Sequence, residues 1–235
     1  MNFTINFYQD SVSHSCPYLA DKQARNIYPD PNLPMDRRTY SQLIQHGFRR
    51  SGNHVYRPHC PACEACVPVR INVEKFKTNR SQRRCLRRNH SVIIREETTA
   101  FNSEHYALYQ RYINTRHPDG GMENPTEESY KHFISSYWCD TQLLEFREQS
   151  RLIAVAVTDV IDNGFSAFYT FFDPDYSQRS LGTYSILKQI ELAAARDLPY
   201  VYLGYWIKEC PKMRYKQAFS ALEGYLNGQW QSIET

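Results

Sequence analysis

No acidic residue lies between Lys75 and Arg88, a stretch that holds seven basic ones. Acid is scarce on either side as well. Residues 36 to 95 carry 14 Lys and Arg against three acids, Asp36, Glu64 and Glu74, a net of +11. The other residues therefore carry a net of −8, and the overall +3 hides a basic segment joined to an acidic remainder. Such asymmetry implies a polyanion footprint on one part of the molecule. Long apolar runs are also lacking: LIAVAV at 152–157 is the longest candidate and is too short to cross a bilayer, so no membrane partner is expected. The N-terminus MNFTINFYQDSV has no positive region followed by an apolar stretch, so the expectation is a cytoplasmic chain with reduced thiols. Repeats, low-complexity tracts and long linkers are missing too.

What is present between Lys75 and Arg88 has a helical period. Arg80, Arg83, Arg84, Arg87 and Arg88 fall at i, i+3, i+4, i+7 and i+8, one stripe of an α-helix. Burying unpaired guanidinium groups costs too much, so the stripe faces water or a polyanion. The planar fork of arginine suits phosphate oxygens, which makes nucleic acid the first partner to consider.

Seven cysteines are present, and three of them, Cys60, Cys63 and Cys66, form overlapping C-x-x-C pairs without a second pair nearby. A C-x-x-C knuckle turns its thiolates towards a common point, as zinc or an iron–sulfur cluster requires. Cys16 is the candidate fourth ligand, with His14 or His59 as substitutes. Reduced thiols packed in a turn would give the same spacing. Cys85, Cys139 and Cys210 read as packing thiols.

Composition divides the chain into residues 1–95, a basic N-terminal domain with the cysteine cluster, and residues 96–235. The first part reads as irregular, with prolines from Pro17 to Pro68 and short helices near 36–46 and 79–89. In the second, SEHYALYQRYINTR (103–116) reads as a helix capped by Ser103, and 129–137 as another, with a turn at 116–121. Strands are expected at 143–148, 152–161 and 165–172, with a hairpin at Asn163-Gly164. A helix at 180–196 and a strand at 200–207 complete an antiparallel meander joined to a βαβ crossover. That order resembles a GNAT-like acyltransferase domain, so the expected fold class is α+β. Arg179 and Gly182 stand in the R-x-x-G frame that such domains use to offer helix N-terminal N–H groups to phosphate. Tyr184 stands where a small residue is usual, a departure from coenzyme A binders.

Five strings carry a wider resemblance: HGFRRSG (46–52), the cysteine segment running into VPVRI (60–71), YTFFDP (169–174), RSLGTYSIL (179–187) and LGYWIKECPKMRYK (203–216). In order and over nearly the whole chain, they resemble the aminoacyl-tRNA–protein transferases of the N-degron pathway. The short length and CPACEAC form are similar to the bacterial, leucine-transferring branch. The resemblance implies transfer of leucine from leucyl-tRNA to the α-amino group of proteins beginning with Asp or Glu. Its metal carry-over is partial, because Leu19 stands where eukaryotic relatives have the second thiol of a C-G-Y-C motif.

For that reaction an α-ammonium of pKa about 8 must lose a proton, and the tetrahedral intermediate needs N–H donors. No cofactor is required for catalysis. A structural zinc ion or iron–sulfur cluster on Cys16, Cys60, Cys63 and Cys66 is the one candidate. Asp173 is the first choice for handling the amine, with an Asx-turn as the alternative role. Tyr169 and Tyr205 could position the ester or protonate its leaving hydroxyl. Arg214 and Lys212 are candidate readers of the acceptor carboxylate, with Arg70 and Arg50 as rivals. Arg80, Arg83, Arg84, Arg87, Arg88, Arg179 and Gly182 are assigned to tRNA. Arginyl transfer, acetyl-CoA-dependent N-acetylation and a non-catalytic RNA-binding module are the competing functions. The sequence leaves the oligomeric state open.

Overall fold

The computed structural model describes residues 5–116 and 123–233. Up to Pro58 the chain forms four short strands, β1 (Phe7–Gln9), β2 (His14–Ser15), β3 (Gln23–Ala24) and β4 (Asn26–Pro29), then the helix α1 (Arg37–Gln45) and the hairpin of β5 (Arg49–Ser51) and β6 (His54–Pro58). β7 (Val67–Asn72), α2 (Arg80–Arg88) and β8 (Ile93–Glu97) follow. Next come α3 (Ser103–Arg116), α4 (Glu127–Ile134), β9 (Asp140–Glu148), β10 (Arg151–Ile161), β11 (Gly164–Phe172) and α5 (Leu181–Ala195). β12 (Tyr200–Trp206) and the hairpin of β13 (Leu222–Leu226) with β14 (Gln229–Ser232) end the fold. Short 3-10 segments lie at Pro174–Arg179 and Pro211–Ala218. Apart from Arg116, the turn expected at 116–121 lies outside the described residues.

The centre is an eight-stranded sheet in the order β14-β13-β7-β12-β11-β10-β9-β8. The expected meander and crossover are both there: β9, β10 and β11 pair antiparallel, and α5 carries the chain to β12, which pairs parallel to β11. The sheet crosses the boundary expected at residue 95. β7 lies between β12 and β13, and β8 pairs with β9, so both halves of the chain supply strands. The N-terminal part is also more regular than its prolines imply, with β1, β4, β6 and β5 forming a second sheet.

Helices cover both faces of the large sheet. Leu187 and Ile190 of α5 pack with Ala154 and Ala156 of β10 in one core, while Ile113 of α3 and Ile134 of α4 pack with Val155 and Val157 in another. β10 is buried on both faces, which is why LIAVAV shows no polar alternation. A third core gathers Tyr40, Leu43 and Phe48 around Trp138.

Local signals explain the ends of elements. Asn79 and Gln82 form a reciprocal capping box at the start of α2. α3 is capped by Asn102, not Ser103: the Asn102 Oδ1 accepts from the N–H of Glu104 at 2.9 Å, leaving Ser103 inside the helix. In the β10–β11 hairpin Ile161 pairs with Gly164, so the two-residue turn is Asp162-Asn163. Gly164 is needed because a Cβ there would collide with the carbonyl oxygen of Tyr200 on β12.

Candidate active site

β11 and β12 begin as neighbours and then part. Their pairing covers only Gly164–Ser166 against Tyr200–Tyr202, although β11 runs on to Phe172 and β12 to Trp206. Each strand carries an irregularity where they separate. The β10–β11 register passes from Tyr169 to Ala167 and leaves Phe168 unpaired. The β7–β12 register passes from Tyr202 to Gly204 and leaves Leu203 unpaired. An extra residue bends a strand and increases its twist, so two bulges at one level open a wedge in the sheet.

The backbone groups freed by this divergence need partners. Arg49, the first residue of β5, donates from Nη2 to the Phe168 carbonyl at 2.8 Å. On the other side, Lys216 of the 3-10 segment donates from Nζ to the Tyr205 carbonyl. Gly204 makes room between them. Its φ is +71°, and a Cβ there would stand 2.7 Å from Arg49 Nη1. Beside Arg49 lies a narrow crevice of about 10 Å³ lined by Phe48, Ser166, Ala167, Gly204 and Tyr205, among others.

The wedge is rich in cation and phenol. Burial pulls the Arg49 pKa down, but the hydroxyls of Tyr56, Tyr18, Tyr205 and Tyr40 outweigh it, so the group is held firmly charged. Lys216 goes the other way: burial and then repulsion from Arg49 lower its pKa to about 7, against a smaller raising effect of Cys210. Tyr169 and Tyr205 are both pushed up, mainly by burial, and stay protonated at neutral pH.

Lys216 gives a testable pH dependence. An unfolded lysine holds its proton to about 10.5, whereas folded Lys216 releases it near 7. The unfolded state therefore binds more protons between these values, and stability rises with pH there. Below pH 7 both states are protonated and the full penalty stands. Replacing Lys216 with Met removes the dependence. The stability of the parent relative to K216M should rise by about 3 kcal/mol between pH 7 and 9.5, up to ~1.4 per unit, in urea melts.

Anion-binding features adjoin the wedge. α5 starts at Ser180, which has φ +56° and makes no side-chain cap, leaving the first helical N–H groups open. A Cβ on Gly182 would meet nothing closer than Phe172 Cε1 at 3.8 Å. α2 docks on the same loop. Its Asn89 C-cap donates from Nδ2 to the Arg179 carbonyl at 3.0 Å, Cys85 Sγ approaches that oxygen and the Ser180 carbonyl at 3.8 and 3.7 Å, and Arg88 donates to Gln178. The outward face of α2 exposes Arg80, Arg83, Arg84, Arg87 and Arg88. Within the described residues none of the five makes an ion pair, and the side chain of Arg83 turns back to the Thr78 carbonyl at 2.6 Å.

Comparison with known proteins decides the family. The model of the N terminus of arginine-tRNA-protein transferase matches residues 14–84, and that of the C terminus matches residues 104–226. The chain belongs to this transferase family. It is 50% identical over 221 residues to the aspartate/glutamate leucyltransferase of Saccharophagus degradans, covering 94% of each chain. It is 48% identical to the proteins of the same name from Teredinibacter turnerae and Thiobacillus denitrificans, covering 94% and 98% of this chain and 91% and 95% of those.

Several candidate residues of this arginine-tRNA-protein transferase family member have other work in the fold. Asp173 is buried, and its carboxylate caps the 3-10 segment at Asp175 N–H while accepting from Arg151 at 2.6 Å and Arg111 at 3.1 Å. Two guanidinium groups and a cap occupy it, which favours the Asx-turn role over proton transfer. The Tyr205 hydroxyl faces the carbonyls of Gly47 and Tyr56 at 3.1 and 3.2 Å and is locked between them. Tyr169 stands in the wedge against Phe133, Tyr112 and Tyr109, and its hydroxyl makes no hydrogen bond among the described residues.

The cations also divide. Arg50 is fully buried in an ion pair with Asp159, and Arg70 pairs with Glu223 while stacking on Tyr200 and Trp230. Both are therefore committed within the fold. Arg214 and Lys212 are exposed on the Lys216 segment. Arg179 reaches Glu148 at 2.6 Å, at the edge of the open N-terminus of α5. Tyr184 turns into the core, donating to the Asn89 carbonyl at 3.2 Å, so its bulk leaves the helix start open. Arg49 and Lys216 were missed by sequence reasoning, although both sit in the strings that carry the resemblance.

The four cysteines expected to act together are gathered in one place. Burial and then Cys60, Cys16 and Cys63 push the Cys66 thiol up to about 12, so the four thiols are neighbours. Among the described residues, however, no three His, Cys, Asp or Glu side chains are arranged to hold an ion. Cys16, Cys60 and Cys63, three of the expected set, lie close to the fourth, Cys66. Among the described residues no helix is long and apolar enough to cross a membrane.

Proposed function

We propose that this chain transfers leucine from leucyl-tRNA to the α-amino group of proteins beginning with Asp or Glu. The observation that carries the reading is near-full-length similarity to relatives named for that activity, at up to 50% identity. The fold is read as GNAT-like, on the β9–β11 meander, the α5 crossover and the divergence of β11 from β12. In this reading the wedge receives the aminoacylated 3′ end of the tRNA. Its phosphates meet the open N-terminus of α5 at Gly182, flanked by Arg179, and further backbone lies along the α2 stripe.

Transfer then needs little covalent help from the protein, since holding ester and amine together supplies much of the acceleration. Within the wedge Lys216 is the group whose pKa lies near neutrality, so it is suited to take the ammonium's proton. Tyr169, held protonated, is suited to donate to the leaving ribose hydroxyl. Asp173 has no part in the proton's path.

The test is transfer of labelled amino acid to reporters that differ only in their first residue. Label should pass from leucyl-tRNA to Asp and Glu reporters, and should not pass from acetyl-CoA. Labelling from arginyl-tRNA or acetyl-CoA alone would overturn the choice of donor.

A further inference from the structure

Two arginines stand side by side in β5, and the fold treats them oppositely. Successive strand residues point to opposite faces. Arg50 enters a buried pocket where Asp159 accepts from Nε at 2.8 Å and from Nη2 at 2.7 Å. Arg49 enters the wedge and meets a single backbone carbonyl, that of Phe168. Phenol groups surround it, and none of the described carboxylates pairs with it.

A part-buried guanidinium without a counter-ion is costly to keep. It has five N–H donors in a planar fork, and the carbonyl of Phe168 uses only one of its edges. The site is short of an anion, and such local imbalance is tolerated where a ligand restores it. On the transfer reading, the acceptor protein brings an anion: the side-chain carboxylate of its first residue.

We infer that Arg49 binds that carboxylate and so determines the preference for Asp and Glu over Asn and Gln. The inference rests on the proposed leucyl transfer and adds the residue that reads the acceptor. The other anion in the reaction, tRNA phosphate, has its own exposed surfaces on α2 and at the start of α5. Arg49 instead lies between two strands, beside a crevice lined largely by apolar side chains. Its rivals are spent or peripheral: Arg50 and Arg70 hold internal carboxylates, and Arg214 and Lys212 stand at the surface. Lys216 shares the wedge but already donates to the Tyr205 carbonyl on the β12 side. Gly204 contributes by leaving the space that the guanidinium occupies.

The experiment compares the parent protein with Arg49→Gln and Arg49→Lys. Steady-state transfer is measured at saturating leucyl-tRNA with reporters beginning with Asp, Asn, Glu and Gln. Binding of the corresponding free peptides is measured separately by calorimetry without tRNA. For R49Q we expect kcat/KM on the Asp and Glu reporters to fall about 100-fold and the Asp-over-Asn ratio to approach one, with the affinity for leucyl-tRNA unchanged; this corresponds to a charge-assisted hydrogen-bond pair. R49K should retain part of the preference, which guards against a folding defect in R49Q. If R49Q keeps its Asp-over-Asn ratio, or loses leucyl-tRNA affinity with that ratio intact, Arg49 is not the reader. If the parent transfers no leucine, the functional reading fails, and the peptide calorimetry still decides whether Arg49 selects a carboxylate.

Discussion

Exchanging Arg83, Arg84 and Arg87 for glutamate is expected to lower the affinity for leucyl-tRNA about 100-fold or more at physiological salt while leaving the fold intact. The three side chains lie on the outward face of α2, and none has an ion-pair partner among the described residues. Arg83 alone makes an internal bond, to the Thr78 carbonyl. Arg88 is left in place because it ties α2 to Gln178 ahead of α5. Removing three phosphate contacts of roughly 1 kcal/mol each, and adding repulsion, gives the estimated loss. The slope of log affinity against log salt should also flatten by roughly two to three, since fewer counterions are released. Anisotropy titrations of labelled leucyl-tRNA at several salt concentrations, with a thermal melt as control, measure both. Unchanged affinity in a folded variant would remove α2 from the tRNA surface.

Asp159→Asn should destabilise the protein by about 3–5 kcal/mol without touching the wedge. Both members of the Arg50–Asp159 pair are fully buried. The carboxylate also accepts from Thr141 at 2.8 Å and Tyr40 at 3.4 Å, while Arg50 reaches the Ile134 carbonyl at 3.1 Å and lies over the Phe168 ring. An amide keeps the shape but leaves a buried guanidinium without its counter-charge. Arg50→Met should cost a similar amount, and the double variant less than the sum of the two, because each single change strands the other partner. Urea denaturation of the four proteins closes the cycle. Additive losses would show that the two residues do not act as a pair.

The Arg49–Arg50 contrast marks where sequence reading stops. HGFRRSG shows two cations and a strand shows that they diverge, but which one is neutralised depends on Asp159, far along the chain. Asp173 shows the same limit, since the arginines that occupy it lie on α3 and β10. The stripe on α2 was legible because period, caps and missing acid all lie within one short segment. The meander and the crossover were legible for the same reason: each is local, and the Asn163-Gly164 signal marks the hairpin. β7 was not, because VPVRI is short, contains Pro68 and pairs only with strands much later in the chain.

The position of β7 also dictates the order of events during synthesis. Its two neighbours in the sheet are β12 and β13, and residues 73 to 199 intervene before the first of them exists. Until then Val69 and Ile71, buried in the finished protein, have no sheet to join. Both edges of the segment stay open to other chains, and closing so long a loop is entropically costly and slow. β7 therefore cannot take its place in the sheet until β12 has been made. A chain that stops before Tyr200 leaves a strand with both edges unpaired and open to aggregation.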